Sequence, residues 1–254
     1  MGQRLGQHFL RDDRTVRRIL EAAQIEPGMH VLEVGPGPGV ITAPISAAVG
    51  PDGKVTAVEA DPDLAGAMTG RFPNVDVVLK DVMKVDLEEL GPFDRIVSNL
   101  PYQISGPVTA AFLDLLAVNK WGHAVLMYQK EFAERLLAGP GTKAYGRLSV
   151  QVARHCTIER VREVPPAAFD PPPKVRSLVV KLTPHETPPF EVGDYALFGR
   201  IVDAAFAQRR KQLKNTLASV HPKAADVVGS LGLATLRPEQ VSPEDFAAIA
   251  QALA

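Results

Sequence analysis

The sequence predicts an α/β protein in which a parallel sheet carries helices on both faces and a small all-helical domain follows. Two patterns support this fold class. Between residues 30 and 137, short apolar runs alternate with helix-like segments, as in chains that build parallel sheets. After a proline-rich linker at residues 183–193, only helical spacing of apolar residues remains. We therefore predict one domain at residues 1–183 and a helical domain at residues 184–254.

The predicted elements follow in order along the chain. Asp12 or Asp13 can cap a first helix that runs to about Gln24. Strands of the parallel sheet are predicted at residues 30–34, 54–58, 75–79, 93–97 and 123–128, with helices at residues 40–49, 62–71, 106–118 and 130–137. A further helix is expected at residues 147–154, and an antiparallel pair that closes the sheet at residues 156–164 and 175–182. The helices of the second domain are placed at residues 195–207, 210–220, 223–231 and 243–253.

Composition limits the classes of protein to which this chain can belong. Its 254 residues are 46% hydrophobic and 22% charged, which suits one large domain with a small appendage. The single cysteine, Cys156, excludes an internal disulfide and fits a reducing, cytosolic setting. No run approaches the roughly 20 apolar residues of a membrane helix, and the polar N-terminal segment does not resemble a signal peptide. The net charge of −1 gives no hint of a nucleic-acid partner, so the distribution of charge matters more.

Three features at successive strand ends predict a nucleotide site. The turn Gly35-Pro36-Gly37-Pro38-Gly39 fails the dinucleotide fingerprint, because Val40 stands where the third glycine is needed. Glu59 ends the second strand and can accept both hydroxyls of a ribose, and Asp81 ends the third and can accept from an adenine amino group. Together they fit an adenosyl ligand without a pyrophosphate, namely S-adenosylmethionine. Alone, the glycines could form an ordinary tight turn, and Asp81 could be a capping or surface acid.

The stretch Asn99-Leu100-Pro101-Tyr102 follows the fourth strand. Asn99 offers an amide, Pro101 removes a main-chain donor, and Tyr102 offers a flat face for a planar ligand. This set suits an exocyclic amino group on an aromatic base. An ordinary β-turn is the alternative interpretation, since Asn and Pro are common turn residues.

Over nearly its whole length, the chain resembles the ribosomal RNA adenine N6-dimethyltransferases, the small-subunit dimethyladenosine synthases. The motifs that carry the resemblance are the N-terminal residues 6–10, the glycine motif at 32–39, Glu59, Asp81, the catalytic motif at 99–102 and the target-base loop at 164–175. Residues 126–133 and 145–150 look most like archaeal or eukaryotic members. Two positions depart from the family pattern: His8 stands where bacterial members usually have Asn, and Lys80-Asp81-Val82 replaces Gly-Asp-Ala.

The resemblance implies a Rossmann-like, S-adenosylmethionine-dependent methyltransferase sheet with a small C-terminal helical domain. It also implies dimethylation of adenine N6, at two adjacent adenines near the 3′ end of small-subunit ribosomal RNA, and a role in subunit biogenesis. The expected partner is this RNA or the immature small subunit, and the enzyme is expected to be a cytoplasmic monomer without a metal or a membrane. The residues expected to bind the cofactor are Gln7, His8, Leu10, Glu33, Gly35, Gly37, Glu59, Asp81, Val82 and Asn99.

A mechanism follows as a hypothesis. The Asn99 side-chain oxygen and the Leu100 carbonyl would accept hydrogen bonds from the adenine N6 amine and so localise its lone pair. Tyr102 would stack on the target base, with Phe169 on the other face of the base. From the sequence alone, Phe169 fits a core position beneath a proline-rich loop equally well.

Basic residues suggest where RNA binds. The densest basic region comprises Arg209–Lys211, Lys214 and Lys223. The candidates for RNA contact are Arg147, Lys174, Arg209, Arg210, Lys211 and Lys214. A solvated surface is the plainer interpretation of such a run. Three other functions remain open: a large-subunit RNA dimethyltransferase, a DNA adenine methyltransferase, and a ribosome-assembly factor whose role is not enzymatic. DNA enzymes usually carry an acidic residue where Asn99 stands, which disfavours the second.

Overall fold

A computed structural model describes residues 7–117 and 121–254 of the chain. Gly6 of the N-terminal motif and Val118, the predicted end of a helix, lie outside the described residues. The strands are β1 Phe9–Leu10, β2 His30–Val34, β3 Lys54–Glu59, β4 Val75–Leu79, β5 Arg95–Asn99, β6 Ala124–Gln129, β7 Cys156–Val164, β8 Phe169–Asp170 and β9 Ser177–Pro184. The helices are α1 Asp13–Ala23, α2 Thr42–Val49, α3 Pro62–Met68, α4 Leu87–Leu90, α5 Ser105–Ala117, α6 Lys130–Leu136, α7 Arg147–His155, α8 Tyr195–Ala207, α9 Leu213–Thr216, α10 Ala224–Ser230 and α11 Pro243–Leu253.

Internal contacts divide the chain into two compact units. The first comprises Met1–Ala133 and Ile158–Pro184, and the second Glu134–Thr157 and His185–Ala254. The segment 134–157 therefore groups with the C-terminal helices, whereas the sequence analysis placed it with the sheet. The cause is local packing: Tyr145 is buried in the core of the second unit, and its hydroxyl donates to the Val241 carbonyl at 2.9 Å. The domain boundary between residues 183 and 184 remains a proposal.

The first unit is built on a seven-stranded sheet with the order β4-β3-β2-β5-β6-β9-β7. The first five strands in this order are parallel, and β9 is antiparallel to β6. Apolar runs such as β2 are buried because helices cover both faces of a parallel sheet. Helix α1 packs Val16, Ile19 and Ala23 into this core, and Asp12 caps it by accepting from the Thr15 N–H at 3.0 Å.

Strand β5 ends later than the sequence analysis predicted. The prediction placed it at residues 93–97, but pairing with β6 extends it to Asn99, which lies opposite Met127. The Leu100 N–H continues the contact by donating to the Met127 carbonyl at 3.3 Å. Asn99 is therefore fixed by a strand and not by a free loop.

A second, two-stranded sheet was not anticipated. β1 and β8 pair antiparallel, with Phe9 opposite Asp170 and Leu10 opposite Phe169. Strands of two residues carry no periodic signal, and this pair is about 160 positions apart in sequence. Its consequence is that the N-terminal motif is joined to the predicted target-base loop.

The predicted helix at residues 210–220 is wrong. Helix α8 ends at Ala207, residues 208–211 form a turn, and only Leu213–Thr216 is helical. The Leu213 N–H donates to the Leu236 carbonyl at 2.8 Å, and the Leu213 and Leu217 side chains are fully buried. Tertiary packing thus replaces the helical hydrogen bonds that local propensity favours.

Candidate active site

A cavity of about 540 Å³ opens at the carboxyl ends of β2, β3 and β5. This is the edge at which open α/β sheets bind ligands, and the volume suits a small organic molecule. The residues that line the cavity are Gln7, His8, Phe9, Leu10, Glu33, Gly35, Pro36, Gly37, Pro38, Val40, Ile41, Glu59, Ala60, Leu64, Asp81, Asn99, Leu100, Pro101, Tyr102, Gln103 and Ile104. The predicted cofactor residues, with the exception of Val82, are therefore gathered in one place.

The glycine turn forms one wall of the cavity. Gly37 has a φ of +56°, a conformation that residues with a side chain rarely adopt. A Cβ atom at this position would lie 3.2 Å from the Phe9 ring, so the turn also leaves room for β1. The Gly37 N–H donates to Oε2 of Glu59 at 3.1 Å, which ties the turn to the end of β3.

Glu59 is held firmly at the end of β3. Its side chain is buried, and Oε1 accepts from the Asp61 N–H at 3.0 Å while Oε2 accepts from Gly37. Each carboxylate oxygen has a second lone pair. Glu59 is therefore oriented by the protein and can still accept hydroxyl groups from a ligand in the cavity.

Glu33 is a second buried carboxyl group on the cavity wall. It is 2% exposed, and within the part of the chain that the structure describes, its Oε2 has no hydrogen-bond partner. Burial raises the pKa of Glu33 to about 8; the Thr42 hydroxyl opposes this rise, and the negative charge of Glu59 adds to it. The protein therefore keeps a polar atom without a partner at the cavity, where a ligand with a donor group could satisfy it.

Asp81 follows β4 and also lines the cavity. Its Oδ1 accepts from the Met83 N–H at 3.0 Å and so caps a single 3-10 turn at Val82–Lys84. The capping role that the sequence left open is therefore real. It uses one oxygen, and Oδ2 remains available to accept from a ligand.

The stretch Asn99–Tyr102 also lines the cavity and lies beside the glycine turn, where a Cβ atom on Gly35 would be 3.6 Å from the Pro101 ring. The Asn99 Nδ2 atom is 3.5 Å from the His8 carbonyl oxygen, a long hydrogen bond that leaves the amide oxygen as an acceptor. Leu100 is buried, and Tyr102 is half-buried with its hydroxyl 2.9 Å from the Ser177 hydroxyl. An acceptor oxygen and an aromatic face are thus presented together.

His8 connects this wall to the proline-rich loop. Its Nδ1 atom lies 2.7 Å from the Pro171 carbonyl oxygen, and its ring centroid is 6.0 Å from that of Tyr102. The carbonyl can only accept, so Nδ1 is the protonated nitrogen of this ring. Together with β1–β8 pairing, this contact fixes the loop at residues 165–173 beside the cavity.

Two predicted site residues do not line the cavity. Phe169 is 4% exposed and packs in the core of the sheet, and Val82 is 7% exposed. The stacking role of Phe169 therefore stays a prediction that this arrangement does not support. Several apolar residues that line the cavity were not predicted, including Phe9, Ile41 and Leu64. Their spacing is typical of ordinary core residues, and only their closeness in sequence to the glycine turn or the strand ends could have indicated that they line the cavity.

Some of the predicted RNA-binding residues form ion pairs within the protein, and others do not. In the second unit, Arg147 pairs with Asp203 at 3.1 Å and Arg209 with Glu239 at 3.8 Å. Arg210, Lys211 and Lys214 are exposed, and they form no ion pair with other residues that the structure describes. Lys174 of the first unit is also exposed and has no ion pair within the described residues.

Two properties of residues 7–117 and 121–254 concern membranes and metal ions. No helix in these ranges is both long enough and apolar enough to span a bilayer. The same ranges contain no group of three or more His, Cys, Asp or Glu side chains arranged to hold a metal ion.

Comparison with known proteins identifies similar sequences. Residues 2–254 match the family described as "Ribosomal RNA adenine dimethylase". The "Ribosomal RNA small subunit methyltransferase A" of Pseudomonas putida is 40% identical over 259 residues, covering 99% of this chain and 94% of that protein. The protein of the same name from Thermosynechococcus vestitus is also 40% identical, covering 99% and 96%. These two relatives are bacterial and give no support to the expected archaeal or eukaryotic likeness.

Solved structures show the same fold. A dimethyladenosine transferase from Plasmodium falciparum superposes with a TM-score of 0.80 at 26% identity, covering 95% of this chain and 96% of that one. The 23S rRNA methyltransferase ErmE superposes with a TM-score of 0.70 at 27% identity, covering 96% and 99%. The predicted Rossmann-like methyltransferase fold is thereby confirmed.

Proposed function

The chain belongs to the ribosomal RNA adenine dimethylase family, and from this we propose that it dimethylates adenine N6 in small-subunit ribosomal RNA, with S-adenosylmethionine as the methyl donor. The observation that carries the proposal is a single cavity in which Glu59, Asp81 and Asn99 face the same space. We further propose that the modified bases are two adjacent adenines near the 3′ end, and that the reaction belongs to subunit biogenesis.

The small subunit is favoured over the large one by sequence. Relatives named for the small subunit are 40% identical to this chain, whereas the 23S enzyme that shares its fold is 27% identical. Both classes share the chemistry, so the cavity alone does not distinguish them. The distinction is therefore made by the RNA that is modified.

The cavity residues fit the cofactor. Glu59 has free lone pairs for two ribose hydroxyls, and Asp81 has a free oxygen for an adenine amino group. The unpartnered oxygen of Glu33 suits a cationic donor such as the α-ammonium group of the methionyl part. When bound, the cofactor supplies an electrophilic methyl group on a sulfonium centre.

The protein prepares the target amine by position. The lone pair of adenine N6 is delocalised into the ring, so the amine is a poor nucleophile until it becomes pyramidal. We propose that the Asn99 oxygen and the Leu100 carbonyl accept its two N–H groups and orient the lone pair. No general base is needed, because the methylated ammonium loses its proton readily to water.

Tyr102 would hold the ring of the target base. Stacking on an aromatic side chain contributes roughly 1–3 kcal/mol per base. A base held in this way must leave its helical stack, so the substrate is a looped or flipped nucleotide. Two acceptor oxygens match the two N–H groups of an adenine amine, whereas a hydroxyl group has one O–H to donate.

The proposed function is tested by mass spectrometry of RNA after incubation with the protein and S-adenosylmethionine. Immature small subunits, naked small-subunit RNA and large-subunit RNA are compared in parallel. Dimethyladenosine in small-subunit RNA alone is the expected result. Dimethyladenosine in large-subunit RNA alone would transfer the assignment to that class, and its absence from all three would overturn the enzymatic proposal. Restored subunit maturation by an inactive variant would reveal an additional assembly role.

Reversal of charge at Arg210, Lys211 and Lys214 should weaken RNA binding. These cations are exposed and form no ion pair with residues 7–117 or 121–254, so we propose that they contact phosphates. The triple glutamate variant should bind small-subunit RNA more weakly, and its dependence on salt should flatten by about 0.7 per lost phosphate contact on single-stranded RNA. Filter binding between low and physiological salt measures both quantities.

The control for this experiment reverses three exposed cations that are not assigned to RNA, namely Arg14, Arg17 and Lys84 of the first unit. It changes the net charge by the same amount. Equal losses in the two variants would mean that net charge, and not a contact surface, governs binding.

The setting of the reaction is also proposed. We propose that the enzyme acts in the cytoplasm, where an RNA substrate of this kind is found, and that it acts as a monomer. Residues 184–254 are proposed to serve as the helical domain that contacts RNA.

A further inference from the structure

The Tyr102 ring is held at its far end by Ser177. The two hydroxyl oxygens are 2.9 Å apart. Ser177 is 0% exposed, whereas Tyr102 is half-buried and lines the cavity. Buried hydroxyl groups need hydrogen-bond partners, and each of these two supplies one to the other. The ring is therefore fixed both at its Cβ and at its hydroxyl.

Ser177 comes from a different strand than the catalytic motif. It is the first residue of β9 and lies opposite Gln129 of β6. On the other side of β6, Asn99 lies opposite Met127. Asn99 and Ser177, which holds the far end of the Tyr102 ring, thus pair with β6 at Met127 and Gln129, two residues apart. This arrangement sets the acceptor oxygen and the aromatic face relative to each other.

The neighbouring contacts do not duplicate this restraint. The His8 ring is tilted by 33° from the Tyr102 ring at a centroid distance of 6.0 Å, and its own polar contact is to Pro171. A tilted ring at this distance limits one direction of movement only. The bond to Ser177 is the polar contact that prevents the Tyr102 ring from swinging about its χ1 angle.

We propose that Ser177 is a positioning residue for methyl transfer. Through the Tyr102 hydroxyl, it fixes the ring on which the adenine stacks, so that the adenine amine lies within hydrogen-bonding distance of the Asn99 oxygen. The inference rests on the proposed function of the Asn99–Tyr102 motif. Ser177 is fully buried and does not line the cavity, so it acts through Tyr102.

The second methyl transfer depends most on this restraint. The monomethylated amine has one N–H, so a single acceptor holds it, and stacking must supply more of the orientation. A ring that can swing still permits the first transfer at a reduced rate. Loss of the Ser177 hydroxyl should therefore leave monomethyladenosine as a major product.

The test compares wild type, Ser177→Ala, Tyr102→Phe and the double variant. Single-turnover methylation of small-subunit RNA is followed by mass spectrometry, which separates monomethyladenosine from dimethyladenosine. Ser177→Ala should slow the first transfer about tenfold, as expected for one lost hydrogen bond, and the second transfer more. In steady-state assays of the same variants, the effect should fall on kcat, with little change in the KM for RNA or cofactor.

The other variants separate positioning from general damage. Tyr102→Phe keeps the ring and removes the same bond, so it should reproduce the product ratio of Ser177→Ala, and the double variant should be no worse than either. Ser177→Thr keeps a hydroxyl group and should restore dimethyladenosine. Ser46→Ala removes a buried serine hydroxyl in α2 that bonds to Asn74, in the turn before β4, and it should keep the wild-type ratio.

Three results decide the matter. A folded Ser177→Ala variant with the wild-type product ratio would overturn the inference while leaving the proposed function intact. If Ser177→Ala fails to fold, Tyr102→Phe decides in its place, and a wild-type ratio there has the same meaning. A wild-type protein that methylates none of the RNAs would overturn the proposed function and this inference together.

Discussion

Asn99→Ala lowers the single-turnover rate of methyl transfer by at least about 100-fold, the cost of removing one well-placed polar group from a reacting centre. The side-chain oxygen is the acceptor that shapes the lone pair of the amine, and a methyl group cannot replace it. Asn99 ends β5 and is only partly buried, so the strand should survive the change. Cofactor affinity should fall less than the rate, because Glu59 and the glycine turn are intact.

The experiment measures the rate at saturating RNA and the cofactor affinity by calorimetry. Asn215→Ala, the same substitution at an exposed residue of the second unit, is the matched control and should keep full activity. Asn99→Asp keeps an acceptor but adds a negative charge and loses the amide donor, so its rate should lie between those of wild type and Asn99→Ala. A rate for Asn99→Ala within a few-fold of wild type, in folded protein, would remove Asn99 from the mechanism.

The positions of Glu59 and Asp81 could be predicted because both lie at or just after the end of a strand with a strong apolar pattern. The apolar runs that became β2 and β3 are buried on both faces, which makes them recognisable, and parallel strands bring their carboxyl ends together. Glu59 and Asp81 therefore met at one cavity as expected. The end of β5 was misplaced by two residues, since strand ends are set by the partner strand and not by local sequence.

The contacts that complete the site could not be predicted in this way. Ser177 reaches Tyr102 across 75 positions of sequence, and β1 meets β8 with two residues each. Such pairs have no periodicity and depend on the final register of the sheet. The same limit explains Phe169, whose place in the core follows from its pairing with Leu10. Family resemblance indicated a role for the loop but not the direction in which its aromatic ring points.

Glu33, which lines the cavity, should make the free energy of unfolding depend on pH. In the folded protein, burial and then the charge of Glu59 raise the pKa of Glu33 to about 8, well above the ordinary value of 4.5. As pH rises between these two values, the unfolded chain releases the proton while the folded protein keeps it. Folding therefore becomes less favourable across this window, by an upper limit of about 5 kcal/mol that solvent and structural relaxation will reduce.

Glu33→Gln should abolish this loss, because the amide is of nearly the same size and does not ionise. Without cofactor, the variant and wild type should be similarly stable near pH 5, and the variant should become the more stable one as pH rises to 8. Denaturant unfolding followed by the fluorescence of Trp121, the single tryptophan, reports on the first unit. Glu26→Gln, at an exposed position, is the control for removing a carboxylate elsewhere.

The same variant should bind S-adenosylmethionine more weakly, because a bound cation favours ionisation of the Glu33 carboxyl group, whereas the amide cannot ionise. Stability gained and affinity lost at one residue would mean that the buried carboxyl group is retained for the ligand and not for the fold. Parallel stability curves for wild type and Glu33→Gln from pH 5 to pH 8 would contradict the raised pKa. Unchanged cofactor affinity would instead remove Glu33 from the binding site and leave it as a buried acid of the sheet.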